Sequence, residues 1–109
     1  MVNEILTGAG FVEGVTYNET QFKQPPRDSS YAVYLDNIGV TGADNLNMIT
    51  KHAVSIELYE YYKDSESESK IEAEFNRRGI EFDKQPRYWI QEEQLYQVVY
   101  DFNYISKGV

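Results

Sequence analysis

The clearest pattern of hydrophobic and polar positions lies between His52 and Tyr62. Val54, Ile56 and Leu58 alternate with polar or tyrosine positions, which are Ser55, Glu57, Tyr59 and Tyr61. A period of two residues is typical of a strand with one face buried and the other at the surface. The segment is therefore predicted to be a half-buried antiparallel strand, with Tyr59 and Tyr61 on its outer face.

Further strands are predicted on both sides of it. Tyr31–Ile38 is rich in aromatic and β-branched residues, and Leu95–Ile105 is a long segment with apolar or aromatic residues at alternate positions. The residues that share one face of the second segment are Tyr96, Val98, Tyr100, Phe102 and Tyr104. A short strand is expected at Tyr88–Ile90, before a polar turn or bulge at Gln91–Gln94, and a weaker edge strand at Val15–Phe22.

The period changes to that of a helix at Asp64–Gly79. Ser65 and Glu68 match a capping box at its start. Ile71 and Phe75 lie one turn apart and form a buried stripe, to which Ala73 or the stem of Arg78 can add. The glycine that closes the segment can adopt the left-handed conformation that ends many helices.

The order of elements predicts the fold class. A short helix is expected at Val2–Thr7, and a strand is expected to start at Ile80–Phe82. Helix, strands, helix and strands in this order predict a single α+β domain over residues 1–109, in which a mostly antiparallel sheet is packed by a short N-terminal helix and one central amphipathic helix. With 109 residues and 41% hydrophobic residues, the domain can bury a modest core.

The segment Gly39–Lys51 is polar and contains glycines, which predicts a long loop or a flexible hairpin tip. It also carries three apolar residues that a solvated loop does not need, Leu46, Met48 and Ile49. They either contact another subunit, in which case the loop is mobile in the free subunit and ordered in the assembly, or they pack on the core of their own subunit.

The charge balance narrows the range of partners. The chain has 18 acidic and 10 basic residues and a net charge of −8. Such a surface repels phosphates, so direct nucleic-acid binding is not expected. The excess of acids is interpreted as a means of solubility, and imitation of DNA by an inhibitor protein is the alternative. No apolar run approaches the ~20 residues that span a bilayer, and an acid lies where a signal peptide needs basic residues, so neither a membrane nor secretion is expected.

Candidate catalytic groups are few. His52 is the one histidine, and the chain has no cysteine. A Ser/His/Asp or zinc site needs partners that the sequence does not identify, so His52 is interpreted as structural. The acids of Gly39–Lys51 lack the spacing of a calcium loop, and the glycines do not form a phosphate loop. We therefore predict no enzyme activity, no cofactor and no metal site.

An aromatic ribbon occupies Arg87–Ile105, with the single tryptophan and several of the ten tyrosines. Surfaces that stack bases combine aromatic residues with Lys and Arg, whereas the neighbours here are acidic. Tyrosine is also enriched at protein–protein contacts. Because Tyr59 and Tyr61 are predicted to lie on the outer face of the sheet, we expect an interaction protein that self-associates.

Four sequence segments resemble those of a known family. They are YAVYLDNIGVTGAD, HAVSIELYEYY, IEAEFNRRGIEF and RYWIQEEQLYQVVYDFNY. Together with the order of elements, they resemble small prophage-encoded proteins of Gram-positive hosts. They are similar to the tail completion and head-to-tail joining family, which is tail terminator-like, of long-tailed bacteriophages. The resemblance extends over roughly Tyr31 to Tyr104.

The resemblance implies a structural role without catalytic residues. It implies an α+β fold, assembly as a ring that is often a hexamer, and contacts with other phage head and tail proteins. The protein would occupy the host cytoplasm during assembly and then the virion tail or head–tail joint. The family's rings use the loop between the second and third strands and the sheet edges for contacts, and these correspond to Asn37–Lys51. The expected interface residues are Leu46, Met48 and Ile49 of this segment, together with Tyr59 and Tyr61 of the outer face. The alternative is a monomeric acidic binding or inhibitor module.

Overall fold

A computed structural model describes residues 1–41 and 49–107, and within them the chain forms two helices and six strands. In chain order these are α1 (Val2–Gly8), β1 (Tyr17–Glu19), β2 (Tyr31–Thr41), β3 (Ile49–Glu60), α2 (Ser65–Arg77), β4 (Asp83–Lys84), β5 (Tyr88–Ile90) and β6 (Leu95–Lys107). The predicted α+β class and the mostly antiparallel sheet are confirmed. Within the described ranges, no helix is both long and apolar enough to cross a membrane.

The sheet is built around three long antiparallel strands, with β3 in the centre between β2 and β6. β1 pairs in parallel with the outer edge of β2. β4 and β5 pair with the outer edge of β6. The register places Ile38, His52 and Tyr104 side by side. Residues of β2, β3 and β6 that are aligned across the sheet in this way lie at the same level.

The even-numbered residues of β2, β3 and β6 form the inner face of the sheet, and both helices contribute to the core on this face. The core residues with no exposed surface include Ile5 and Leu6 of α1, and Ile71 and Phe75 of α2. From the sheet they meet Ile56, Leu58, Val98 and Tyr100, all fully buried. The alternation in β3 and the Ile71 and Phe75 positions of the α2 stripe were therefore predicted correctly, whereas Ala73 is exposed.

The odd-numbered residues form the outer face, and one end of this face carries a second, smaller cluster. Tyr31, Val33 and Leu95 are buried there. The rings of Tyr31 and Tyr59 stack with their centroids 5.0 Å apart. The Tyr61 hydroxyl donates a hydrogen bond of 2.6 Å to the carbonyl of Pro26, in the connection between β1 and β2.

The predicted capping box at Ser65 is wrong. Asp64 is the N-cap of α2, and its carboxylate accepts hydrogen bonds from the backbone N–H of Ser67 at 3.0 Å and from the Ser67 hydroxyl at 2.7 Å. Glu68 does not return to the cap because its side chain is buried in an ion-pair network. The predicted left-handed glycine is confirmed, since Gly79 has φ +67°.

Two predicted boundaries are also wrong. The expected loop Gly39–Lys51 begins and ends as strand, because Gly39 pairs with Lys51 and Thr41 pairs with Ile49. The strand expected to start at Ile80–Phe82 is instead β4, at Asp83–Lys84. Ile80 and Phe82 pack against the core from outside the sheet.

Candidate functional site

The far end of the sheet is a three-stranded arm that the helices do not cover. We define the arm as Asn37–Thr41, Ile49–Ala53 and Asn103–Lys107, and the rest of the molecule as the base. None of the described side chains of the arm is fully buried. Ile38 is 60% and Val40 55% exposed on the inner face, and Ile105 is 61% exposed on the outer face. The arm thus exposes large apolar residues on both of its faces.

Both edges of the arm are open along the described part of the chain. β1 covers the edge of β2 only from Ala32 to Tyr34. β4 and β5 cover the edge of β6 only as far as Asp101. Beyond these points, neither strand has a neighbour on its outer side within residues 1–41 and 49–107.

The hydrogen bonds at the base show which backbone groups the open edges present. Ala32 donates its N–H to Thr16 at 2.8 Å, and the carbonyl of Tyr34 accepts from Thr20 at 2.9 Å, so even-numbered residues of β2 direct their backbone groups outward. On β6 the carbonyl of Val99 accepts from Gln85 at 2.9 Å, so odd-numbered residues do the same there. In the arm, the outward backbone groups are therefore those of Ile38 and Val40 on β2, and of Asn103, Ile105 and Lys107 on β6.

The open edges carry few of the features that usually protect an edge strand from pairing. Natural edges carry prolines, bulges or charged residues that prevent a second chain from adding to the sheet. Between Leu35 and Val40, β2 has neither proline nor lysine, and its one charged residue, Asp36, contacts His52 on the inner face. The one lysine on the arm edge of β6 is Lys107, its last residue. An unprotected edge with exposed apolar side chains is a site for the addition of a further strand.

A polar network crosses the three strands on the inner face, where the arm meets the base. His52 Nδ1 lies 2.9 Å from Asp36 Oδ2, and His52 Nε2 lies 3.0 Å from Ser106 Oγ. The His52 ring stacks on the Tyr104 ring at a centroid distance of 4.1 Å. Asp36 belongs to β2, His52 to β3 and Ser106 to β6, so the network ties the strands together where helices no longer support them.

Ser106, His52 and Asp36 are connected in the same order as the nucleophile, base and acid of a catalytic triad. Acyl transfer also requires hydrogen-bond donors directed at the developing oxyanion and a cleft that holds the substrate. A cavity of about 350 Å³ is lined by six residues of the outer face, Asn37, Gly39, Lys51, Ala53, Asn103 and Ile105, and also by His52 and Tyr104, but not by Asp36 or Ser106. The Ser106 hydroxyl lies on the inner face, so we interpret the network as a brace of the arm.

The base contains a buried acidic pair that the sequence analysis missed. Glu60 is fully buried and Glu68 nearly so. The Arg87 guanidinium contacts both, with Nε 3.4 Å from Glu60 Oε1. Lys84 Nζ lies 2.8 Å from Glu68 Oε1 and 2.8 Å from Glu72 Oε2. These contacts tie the segment that carries β4 to helix α2.

The two carboxyl groups of the pair differ in protonation. Burial, together with the adjacent Glu68, raises the pKa of Glu60 to about 8. Burial acts on Glu68 as well, but hydrogen bonds from Lys84, Glu60 and Arg87 hold the pKa of Glu68 below its ordinary value. At neutral pH the pair therefore shares one proton, which Glu60 holds more readily than Glu68, and carries one negative charge. Neutralisation of one member makes the burial of two acids tolerable.

The predicted interface residues have different surroundings. Leu46 and Met48 lie outside the described residues. Ile49 is the first residue of β3, half-buried on the outer face of the arm. Tyr59 and Tyr61 are half-buried at the base, where Tyr59 donates a hydrogen bond to Glu57 at 2.8 Å and Tyr61 bonds to the connection before β2. Their role in an interface stays a prediction.

No protein-family model matches the chain, and no curated protein sequence matches it. The resemblance to tail completion proteins therefore remains a prediction from the sequence.

Proposed function

We propose that the protein is a structural component of a bacteriophage head–tail joint or tail end, and that it acts by self-association into a ring. The observation that carries this proposal is the arm with two open, unprotected edges and exposed apolar residues on both faces. A chain with one open edge can form only a pair through it, whereas two different edges allow each copy to hold two neighbours.

The distribution of charge supports contact through the arm. The chain as a whole is strongly acidic, with a net charge of −8. The described residues of the arm include Lys51 and Lys107 and no acid. Copies that approach through their arms therefore avoid most of the repulsion that their acidic bases would produce.

The fold is compatible with the sequence resemblance. An α+β domain with a sheet flanked by helices is what the similarity to tail completion proteins implies. The segment that this similarity assigns to subunit contacts, Asn37–Lys51, begins and ends in the arm. Two independent considerations, one from sequence and one from geometry, thus lead to the same end of the molecule.

Sedimentation velocity from micromolar to millimolar protein, with and without a tail-tube protein, tests the proposal. We expect a shift from monomer to a discrete larger species, with closed rings in negative-stain electron microscopy. A strict monomer under every condition would refute self-association. If that monomer instead competes with DNA for a DNA-binding protein, the alternative of an acidic inhibitor module is the correct one.

A further inference from the structure

We propose that copies of the protein join edge to edge, with the β2 edge of one arm paired in parallel to the β6 edge of the next, so that one sheet runs through successive subunits. This inference rests on the proposed function and specifies the contact that forms the ring. Its occupant is a second copy of this chain.

The two open edges match in position. The register aligns Asn37 of β2 with Asn103 of β6 through Ala53, and Thr41 with Lys107 through Ile49. Both edges are thus open over the same levels of the arm. β2 and β6 also run in the same direction, because each is antiparallel to β3. Copies that stand side by side with their strands pointing the same way, each turned relative to the last, therefore bring a β2 edge against a β6 edge as parallel neighbours.

The outward backbone groups also match in phase. In a parallel pair of strands, a residue whose N–H and C=O point toward the partner strand does not bond to the residue directly opposite. It bonds instead to the two residues that precede and follow that opposite residue in the chain. Ile38 bonds outward and lies at the level of Tyr104, whose neighbours Asn103 and Ile105 bond outward on β6. Ile38 can then donate to the carbonyl of Asn103 of the next copy and accept from the N–H of its Ile105. Val40 repeats this pattern one step further along the arm.

The chain already contains one pair of this kind. β1 is a parallel neighbour of β2, with Ala32 opposite Tyr17 and the Ala32 N–H bonded to the carbonyl of Thr16 at 2.8 Å. The β6 strand of a second copy would continue along the same edge of β2, beyond the point where β1 ends. The hydrogen bonds that the open part of the β2 edge would form with a second copy are therefore of the same kind as those that its covered part forms with β1.

The side chains gain apolar contacts in this arrangement. Even-numbered positions of β2 and β6 remain on the inner face, so Ile38 and Val40 come to lie beside Tyr104 and Ser106 of the neighbour. On the outer face, Gly39 comes to lie beside Ile105. The large apolar residues that are more than half exposed in the free arm thus lose exposure on both faces.

Because the chain has no cysteine, engineered disulfides can test the contact cleanly. Gly39→Cys and Ile105→Cys form a pair at the same level of the outer face. Within one chain β3 separates the two positions by about 10 Å, which is too far for a disulfide. Between paired neighbours they would lie about 5 Å apart, within reach of one. The glycine has room for a side chain, since no heavy atom lies within 4 Å of the position that a β-carbon would take there.

We expect the double variant to lose its monomer band on oxidation and to form a reducible ladder beyond the dimer on non-reducing gels. Each single-cysteine variant should remain largely monomeric, and a mixture of the two should give the dimer. The pair Asn37→Cys with Ile105→Cys, which lies two levels out of register, should cross-link less than the level-matched pair. Under reducing conditions all variants should melt as the wild type does.

Three results would overturn the inference. Absence of a ladder would exclude pairing of the two edges. Efficient dimers from Gly39→Cys alone would show a symmetric β2–β2 contact instead. A better ladder from the out-of-register pair would disprove the matched register. If the wild type forms rings without a ladder in the variant, the proposed function stands and the edge pairing fails. If the ladder forms while the protein does not join heads to tails, the pairing stands and the proposed function fails.

Discussion

At the scale of single residues, Phe75 is the centre of the inner core. It is fully buried, and its ring lies 4.6 Å from the ring of Phe82, 5.1 Å from that of Phe102 and 5.8 Å from that of Tyr100, measured between centroids. These rings belong to α2, to the segment that follows it and to β6. Phe75 therefore joins parts of the chain that are distant in sequence.

Phe75→Ala is expected to lower the free energy of unfolding by about 3–5 kcal/mol, because it leaves a cavity among aromatic rings that cannot collapse to fill it. Urea denaturation or thermal melting measures the loss. Asn76→Ala, at the next and exposed position of the same helix, is the matched control. An unchanged melting temperature for Phe75→Ala would mean that the helix docks through another face.

The protonated Glu60 predicts an unusual dependence of stability on pH. The ordinary pKa of this carboxyl group is 4.5, and its pKa in the folded protein is about 8. At a pH between these two values, Glu60 holds a proton in the folded state that it releases in the unfolded state. This contribution to stability is complete below the ordinary pKa and is lost as the pH rises through the folded pKa. Glu68 acts in the opposite direction, since its lowered pKa makes a contribution that is lost only as the pH falls below its ordinary range.

Glu60→Gln should flatten the fall in stability between about pH 5 and pH 8, because glutamine is neutral throughout and its amide can still donate to Glu68. Urea denaturation across this range measures the effect. Glu66→Gln, at an exposed position of α2, should retain the slope of the wild type. An equally steep slope in Glu60→Gln would place the shared proton elsewhere.

The sequence could predict which residues face inward better than it could predict their partners. The alternation of β3 continues from Leu58 to Glu60, but a carboxylate is rarely buried, and the group that makes burial possible is Arg87, 27 residues further along the chain. The partners of His52 are 16 and 54 residues away in sequence. Pairing of β3 with both neighbours creates these contacts, and no local pattern encodes them.

At the scale of elements, the start of α2 depends on one side chain. Asp64 caps the helix, accepts a hydrogen bond of 2.7 Å from Ser30, and precedes Ser65, which the sequence alone favoured as the cap. Ser30 lies just before β2. The cap therefore also fixes the helix to the sheet.

Asp64→Ala is expected to cost about 0.5–2 kcal/mol of stability through loss of the cap, whereas Ser65→Ala should cost little. Thermal melting of the two variants side by side decides between the two caps. A larger loss of stability for Ser65→Ala than for Asp64→Ala would show that Ser65 caps the helix. The hydrogen bonds from Ser30 and Ser67 lower the pKa of Asp64 despite its partial burial, so the contribution of the cap should fade only as the pH falls below the ordinary carboxyl range.

The elements themselves were largely predictable because their periodicity is local. The short strand Tyr88–Ile90 and the long strand that begins at Leu95 start at the predicted residues. The arm was not predictable to the same extent. Gly39 and Lys51 have weak strand propensity, and they adopt strand because the register set by Val54 and Ile56 carries the pairing outward.

At the scale of the whole molecule, the open edge of β2 makes a prediction about assembly. Proline at Ile38 removes an outward N–H that takes no part in the pairing of β2 with β3, so the fold should tolerate it. Ile38→Pro should abolish self-association at concentrations where the wild type assembles, as measured by sedimentation velocity. Ile38→Thr, which keeps the N–H and the branched side chain, should weaken association less. Equal association of Ile38→Pro and the wild type would exclude the β2 edge from the contact.

The extra strands at the base make each copy a tapered block. The arm is three strands wide, about 14 Å, whereas the base, with β1 on one side and β4 on the other, is five strands wide, about 24 Å. Identical tapered blocks that touch along their narrow ends must fan apart at their wide ends. Each added copy therefore turns relative to the last, and a constant turn closes the series after a fixed number of copies. The short strands β1 and β4, which lie at the two edges of the base, would then set the size of the ring.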